Sequence, residues 1–135
     1  MKGPDPRPGT PLDWLRRARA DLALARVDLP PGGFYEDLCF HAQQAAEKAI
    51  KAVYQLREWR FRYVHNIEEL LTGLRQGGEP VPSDLDEATR LTQYAFETRY
   101  PGFGEPVTRD EYERAVKLAG RVVEWAAALV EGKAS

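Results

Sequence analysis

Apolar residues recur every three or four positions over most of this chain, which is the spacing of amphipathic helices. The first such segment begins at Thr10-Pro11, where a cap hydroxyl precedes a proline suited to the first helical turn. It ends before Pro30-Pro31-Gly32-Gly33, a sequence that turns the chain. Its apolar positions are Leu15, Ala18, Leu22, Ala25 and Leu29. This pattern predicts a helix that buries one narrow face.

The second segment, from about Phe34 to about Arg57, carries two parallel stripes. One is apolar and mostly small, which predicts close packing on a neighbouring helix; it contains Leu38, Ala42, Ala45, Ala49, Ala52 and Leu56. The other is polar and contains His41, Gln44, Lys48, Lys51 and Gln55. Such a row is typical of the solvated flank of a bundle helix. The alternative is a functional surface.

Three further helices follow. Asn66 and two acids start a short one that Gly77-Gly78 ends. Ser83 caps the next, which must stop near Arg99 because Pro101 disfavours helical geometry at Tyr100. Its apolar positions are Leu85, Ala88, Leu91 and Ala95.

The last helix begins near Thr108, where Thr108 and Glu111 form a capping-box pattern. Two adjacent apolar rows predict contacts with more than one neighbour. They run through Tyr112, Val116, Ala119, Val123, Ala126 and Val130, and through Ala115, Leu118, Val122, Trp125 and Leu129. The pattern as a whole predicts an all-α protein, an up-and-down four-helix bundle with one additional short helix.

Length, composition and charge further limit the classes of protein to which this chain could belong. A chain of 135 residues is expected to form one domain, here residues 10–131, between a disordered leader (1–9) and a short disordered tail (132–135). One cysteine, Cys39, precludes an intramolecular disulfide and fits a cytoplasmic location. No apolar run approaches the roughly 20 residues of a membrane span. A net charge of −2 argues against coating nucleic acid by bulk electrostatics, so any such site is local.

Few residues of the chain suggest a catalytic or ligand-binding role. His41 and His65 lack metal-ligand spacing, and no phosphate-binding glycine loop is present, so neither a metal nor a cofactor is expected. The segment Arg57–Tyr63 alternates arginines with Trp59, Phe61 and Tyr63, a combination that can grip single-stranded nucleic acid. The same aromatic residues could instead cover the core of the bundle as an aromatic roof. The arginines would then pair with Glu68, Glu69 and Glu79. Arg99 could hold an anion or cap its helix.

Three motifs in order resemble the HEPN domain family, in the branch associated with nucleotidyltransferases. They are Gln43–Ala52, His65–Leu71 and Arg99-Tyr100-Pro101, within a likeness that spans about Leu12 to Val130. The resemblance implies a helical bundle that often forms homodimers. It also implies a partner, a small nucleotidyltransferase encoded nearby, as in toxin–antitoxin pairs.

Many HEPN proteins are metal-independent ribonucleases that use an arginine and a histidine with four to six residues between them. Arg60 and His65 meet that spacing. However, Phe61 replaces the usual polar neighbour of the arginine, and no histidine follows Arg99.

The main hypothesis is therefore a non-enzymatic interaction module that binds a nucleotidyltransferase and contacts nucleotide or single-stranded RNA. Its phosphate contacts would be Lys48, Lys51, Arg60, His65 and Arg99, with Trp59 and Tyr63 as stacking surfaces. A ribonuclease in which His65 moves the proton and Arg60 stabilises the transition state is one alternative. A purely structural scaffold is another.

Overall fold

The computed structural model describes residues 9–62, 64–95 and 105–132, and these parts of the chain contain helices and no strand. The helices, in order, are α1 (Pro11–Ala25), α2 (Tyr35–Arg57), α3 (Ile67–Gln76), a 3-10 helix (Ser83–Ala95) and α4 (Arg109–Val130). The prediction of an all-α protein is confirmed. The predicted leader and tail lie almost wholly outside the described residues.

Side-chain hydrogen bonds cap the N-termini of three helices at the positions that the sequence predicted. Thr10 and Asp13 form a reciprocal capping box at α1, which lowers the pKa of the Asp13 carboxyl because Thr10 donates to it. Asn66 accepts from the Glu69 amide at α3. Thr108 accepts from the Glu111 amide at α4, but the Glu111 carboxylate accepts from the Tyr94 hydroxyl instead of completing a capping box.

Helix α2 is the centre of the bundle and packs against every other helix. The small residues of its apolar stripe, Ala42, Ala45, Ala49 and Ala52, are 0% exposed, which confirms the predicted close contact. Cys39 is also 0% exposed, and burial raises the pKa of its thiol to about 12.

Two element predictions need correction. Helix α1 ends at Ala25, so Leu29 lies in the following loop. The helix that begins at Ser83 is a 3-10 helix over Ser83–Ala95. Its buried residues include Leu85, Ala88, Leu91 and Tyr94, which recur every third position. A 3-10 helix has three residues per turn, so this spacing keeps all four on one face. The predicted end near Arg99 lies outside the described residues.

The two apolar rows of α4 contact α1, α2 and the 3-10 helix, as predicted for so wide a face. Ala119, Val122 and Ala126 are fully buried, whereas Trp125 and Leu129 pack at the edge of the core. Within the described residues, no helix is both long and apolar enough to cross a membrane.

Candidate functional site

The polar stripe of α2 is hydrogen-bonded and largely covered. Lys51 and Gln55 are 6% and 8% exposed, so the interpretation of this stripe as a solvated flank is wrong for both residues. Gln55 donates to the carbonyl of Gly9, which brings the start of the described chain over the helix. Lys51 lies 5.1 Å above the centre of the Phe61 ring. The segments before α1 and before α3 therefore cover this side of α2.

Glu47 is the centre of one polar cluster on this side. Glu47 is 3% exposed, and its carboxylate lies 2.6 Å from Lys51 Nζ, 2.6 Å from Gln43 Nε2 and 3.0 Å from His65 Nδ1. Because a carboxylate only accepts, the contact with His65 requires a proton on Nδ1. The bond orients the His65 ring, whose side chain is 56% exposed.

Asp21, on α1, is the centre of a second cluster. Its carboxylate lies 2.6 Å from Lys48 Nζ and 3.0 Å from His41 Nδ1. Asp21 is 8% exposed, whereas the side chains of Lys48 and His41 are about one-third exposed. This cluster ties α1 to α2 and engages the ammonium group of Lys48.

The segment after α2 leaves the helix through Glu58, which adopts a left-handed conformation with φ of 63°. Trp59 then packs on Gly77, where an added Cβ would lie 2.8 Å from the ring. Phe61 is 6% exposed and makes edge contacts with Trp14 and Tyr54, each with ring centres 5.7 Å apart. The alternative of an aromatic roof is thus confirmed for Phe61, whereas Trp59 is only partly buried against the core.

Two arginines of the same segment are engaged by acids, as the roof interpretation expected. Arg57 Nε lies 2.5 Å from the buried carboxylate of Glu79, and this hydrogen bond raises the pKa of the guanidinium. Arg62 lies 2.6 Å from Glu69. Arg60 is exposed and has no ion-pair partner among the described residues.

A cleft of about 550 Å³ separates this segment from α3. Trp59, Arg60 and Arg62 form one wall, and Glu69, Thr72 and Gln76 of α3 form the other. Tyr54 lies at its base, where its hydroxyl donates to the carbonyl of Leu70 at 2.6 Å, and burial raises its pKa to about 12. The cleft therefore combines an exposed guanidinium, an aromatic edge and polar helix side chains.

The predicted site residues are not all in one place. Arg60 and Trp59 line the cleft, whereas His65 is not among its lining residues. Lys48 and Lys51 are held by Asp21 and Glu47, and neither lines the cleft with Arg60. The remaining two predicted contacts, Tyr63 and Arg99, lie outside the described residues.

Sequence reasoning missed the two buried acids, Asp21 and Glu47. A signal for Glu47 existed, because Gln43 and Lys51 each lie four residues away, on the same side of a helix. No comparable signal existed for Asp21, whose partners lie on another helix. In the described part of the chain, no group of three or more His, Cys, Asp or Glu residues could hold a metal ion.

Comparison with known proteins gives a consistent result. The solved structure of TT1696 from Thermus thermophilus is 37% identical, covers 86% of this chain and 94% of its own, and superposes with a TM-score of 0.74. ST0689, described as an archaeal HEPN homologue, is 28% identical, with coverage of 91% and 99% and a TM-score of 0.72. No curated protein matches the chain. The family model of the HEPN domain matches residues 12–130, and the chain therefore belongs to the HEPN domain family.

Proposed function

We propose that this protein is a non-enzymatic HEPN module that binds the phosphate of a nucleotide or of single-stranded RNA. The observation that carries the proposal is the cleft lined by Trp59 and Arg60, in which a guanidinium without an acid partner among the described residues lies beside an aromatic ring. Arginine pairs bidentately with phosphate, and an aromatic side chain can stack on a base. A volume of about 550 Å³ falls within the range of small-ligand sites.

Lys48 and Lys51 have a different role in this proposal from the one the sequence suggested. Each ammonium already lies 2.6 Å from a carboxylate that is almost fully buried. Using either one to bind phosphate would leave that carboxylate buried without its partner, which is costly. We therefore assign Lys48 and Lys51 to holding α2 against its neighbours, and phosphate binding to Arg60.

Association with other chains completes the proposal. The protein forms a homodimer in the cytoplasm and pairs with a small nucleotidyltransferase, as in a toxin–antitoxin system. Support comes from HEPN membership and from the exposed apolar side chains of Leu24 and Phe34, which are 48% and 64% exposed. Co-purification with a nucleotidyltransferase encoded beside its gene tests the pairing. Failure of the two proteins to associate when co-expressed would remove this part of the proposal.

Calorimetric titration with ATP and with oligouridylate tests the cleft. Arg60→Gln should weaken binding about tenfold or more, because it removes a charge-assisted hydrogen bond. Arg17→Gln is the matched control, since Arg17 is an exposed arginine of α1 outside the cleft. Equal affinities of wild type and Arg60→Gln would show that the cleft is not the site. Absence of binding to either ligand would favour the scaffold hypothesis.

The ribonuclease alternative has one structural observation in its favour. Glu47 orients His65 through Nδ1, as carboxylates orient catalytic histidines, and leaves Nε2 for proton transfer. Two observations disfavour it: Lys51 shares the same carboxylate, and His65 does not line the cleft that contains Arg60.

Incubation with single-stranded RNA in EDTA separates the two functions. We expect no cleavage by the purified protein. Proton transfer by a positioned histidine typically contributes about 10²–10⁴-fold in rate. Metal-independent cleavage that His65→Ala abolishes without unfolding the protein would therefore replace the module hypothesis by the ribonuclease.

A further inference from the structure

A second groove, of about 440 Å³, lies between the 3-10 helix and α4. Its lining residues are distinct from those of the cleft at Trp59 and Arg60. Four lining residues belong to the hydrophobic core and are each less than 10% exposed; they are Leu91, Tyr94, Ala115 and Leu118. Because these residues expose so little surface, a ligand in this groove would mainly contact the polar side chains above them.

Those polar side chains are predominantly cationic. Arg114, Lys117 and Arg121 lie three and four residues apart on α4, so they share one face of the helix. At 1.5 Å per residue, this row extends about 10 Å along the groove. Arg90 contributes a fourth cation from the 3-10 helix on the opposite wall.

Most of this positive charge is not neutralised within the described parts of the protein. There, Arg90, Arg114 and Lys117 are exposed and have no ion-pair partner. Arg121 lies 3.6 Å from Asp84 and 3.9 Å from Glu87, distances typical of loose surface pairs. The other acid in the groove, Glu111, accepts from the Tyr94 hydroxyl. In a chain of net charge −2, this is a local concentration of cations.

We infer that this groove binds the phosphodiester backbone of single-stranded RNA, without sequence preference. A positive groove that follows the backbone is the electrostatic element of single-strand binding. Among the described residues, no exposed aromatic ring lines the groove, so it offers no stacking surface to read a base. An acidic peptide is a poorer fit, because protein interfaces depend on buried apolar anchors and the apolar residues here are already covered.

The inference goes beyond the proposed function, because the groove acts whether or not the cleft at Arg60 holds a nucleotide. The probe is a fluorescent oligouridylate titrated with the full chain at several salt concentrations. Each phosphate contact on a single strand contributes about −0.7 to the slope of log affinity against log salt, so three contacts predict a slope of about −2. Arg114→Gln/Lys117→Gln should remove about 1.4 of that slope and weaken low-salt binding about tenfold.

Arg16→Gln/Arg17→Gln is the matched control, because it changes net charge equally at two exposed arginines of α1. We expect the control to keep the wild-type slope. An equal loss in both double variants would show that net charge, not the groove, binds RNA, and would overturn the inference. Displacement of the RNA by polyglutamate at equal charge concentration would also overturn it, in favour of an acidic protein partner.

Arg60→Gln distinguishes failure of this inference from failure of the proposed function. If the groove binds RNA, Arg114→Gln/Lys117→Gln should lose about 1.4 of the slope and keep the wild-type affinity for ATP, whereas Arg60→Gln should lose at most the roughly 0.7 of one phosphate contact and weaken ATP binding. If Arg60→Gln instead abolishes RNA binding while Arg114→Gln/Lys117→Gln leaves the slope intact, the groove inference is wrong and the cleft proposal stands.

Discussion

Glu47 carries a charge in an almost fully buried position, where an isolated carboxylate would be strongly disfavoured. Its hydrogen bonds to Lys51, Gln43 and His65 use both carboxylate oxygens. Since Lys51 is buried as well, each of these two ions depends on the other. Removal of one partner would leave the other charge uncompensated.

Glu47→Ala should therefore lower the free energy of unfolding by about 3–5 kcal/mol, the usual cost of breaking a buried ion pair. Glu47→Met/Lys51→Met should recover only part of this loss. Replacing both ions by apolar side chains of similar size is often neutral or stabilising, but the buried Gln43 amide loses its acceptor. Urea denaturation measures both effects. Glu124→Ala, an exposed acid on α4, is the control and should change stability little. A cost below about 1 kcal/mol for Glu47→Ala, as for a surface pair, would contradict the burial of this cluster.

At this scale the sequence predicts which residues share a helix face but not what covers that face. Lys51 was correctly placed beside Lys48 and His41, yet its burial depends on Phe61, which reaches it only because the chain reverses at Glu58. A left-handed residue is usually glycine or asparagine. A glutamate at this position gave no signal for the reversal. The cleft at Arg60 was therefore suggested by residue types but not by position.

The contact between α2 and α3 depends on one close approach. Gly73 of α3 lies so near the Tyr54 hydroxyl that an added Cβ would be 2.2 Å from that oxygen. The next atom of Tyr54, Cζ, would be 3.4 Å from the same Cβ, an ordinary contact. Glycine here accommodates the hydroxyl that donates to Leu70.

Gly73→Ala should thus destabilise the protein by about 1–3 kcal/mol through overpacking. In a Tyr54→Phe background the same change should become stabilising by up to about 1 kcal/mol, because alanine is the better helix former and the clashing oxygen is gone. Thermal denaturation of the four proteins in this double-mutant cycle provides the measurement. If Gly73→Ala has the same sign in both backgrounds, the Tyr54 hydroxyl is not what constrains the helix contact.

A further prediction concerns the alanine stripe of α2. Ala49→Leu should lower the free energy of unfolding by about 1–3 kcal/mol, because Ala49 is 0% exposed at a close helix contact. Ala23→Leu, at an exposed position of α1, makes the same chemical change without crowding the core. An unchanged thermal midpoint for Ala49→Leu would mean that the assigned buried face of α2 is wrong.

Elements with side-chain caps were the most predictable from sequence. The start of a helix is located to within one residue by each of three N-cap residues, Thr10, Asn66 and Thr108. A short polar side chain at this position accepts a hydrogen bond from a backbone amide that is otherwise unpaired. The 3-10 helix is the exception, because its apolar positions Leu85, Ala88, Leu91 and Ala95 also fit one face of an α-helix. The strict period of three from Leu85 to Tyr94 was the missed indication.

At the scale of the whole molecule, the apolar surface available to a second chain lies outside the two apolar rows of α4. The helices α1 and α2 and the 3-10 helix cover most of both rows. Exposed apolar side chains lie instead on α1 and the loop after it. They include Leu24, Val27 and Phe34, at 48%, 45% and 64% exposure.

We predict that sedimentation at micromolar concentration will show a dimer and that Leu24→Asp/Phe34→Asp will convert it to a monomer. A charge at a buried apolar contact between subunits has to be desolvated, which opposes association. Leu12→Asp is the comparison variant, since Leu12 is 53% exposed at the other end of α1. A wild-type protein that sediments as a monomer would remove the dimer from the proposed function.

Cys39 also makes it possible to measure how often the bundle opens without any engineered label. It is the single cysteine of the chain, it is 0% exposed on α2, and the pKa of its thiol is about 12. An alkylating reagent reacts with the exposed thiolate, so labelling requires the core around α2 to open. When reclosing is faster than alkylation, the labelling rate reports the population of the open state, so each destabilising variant above should raise this rate about tenfold for every 1.4 kcal/mol of stability it loses.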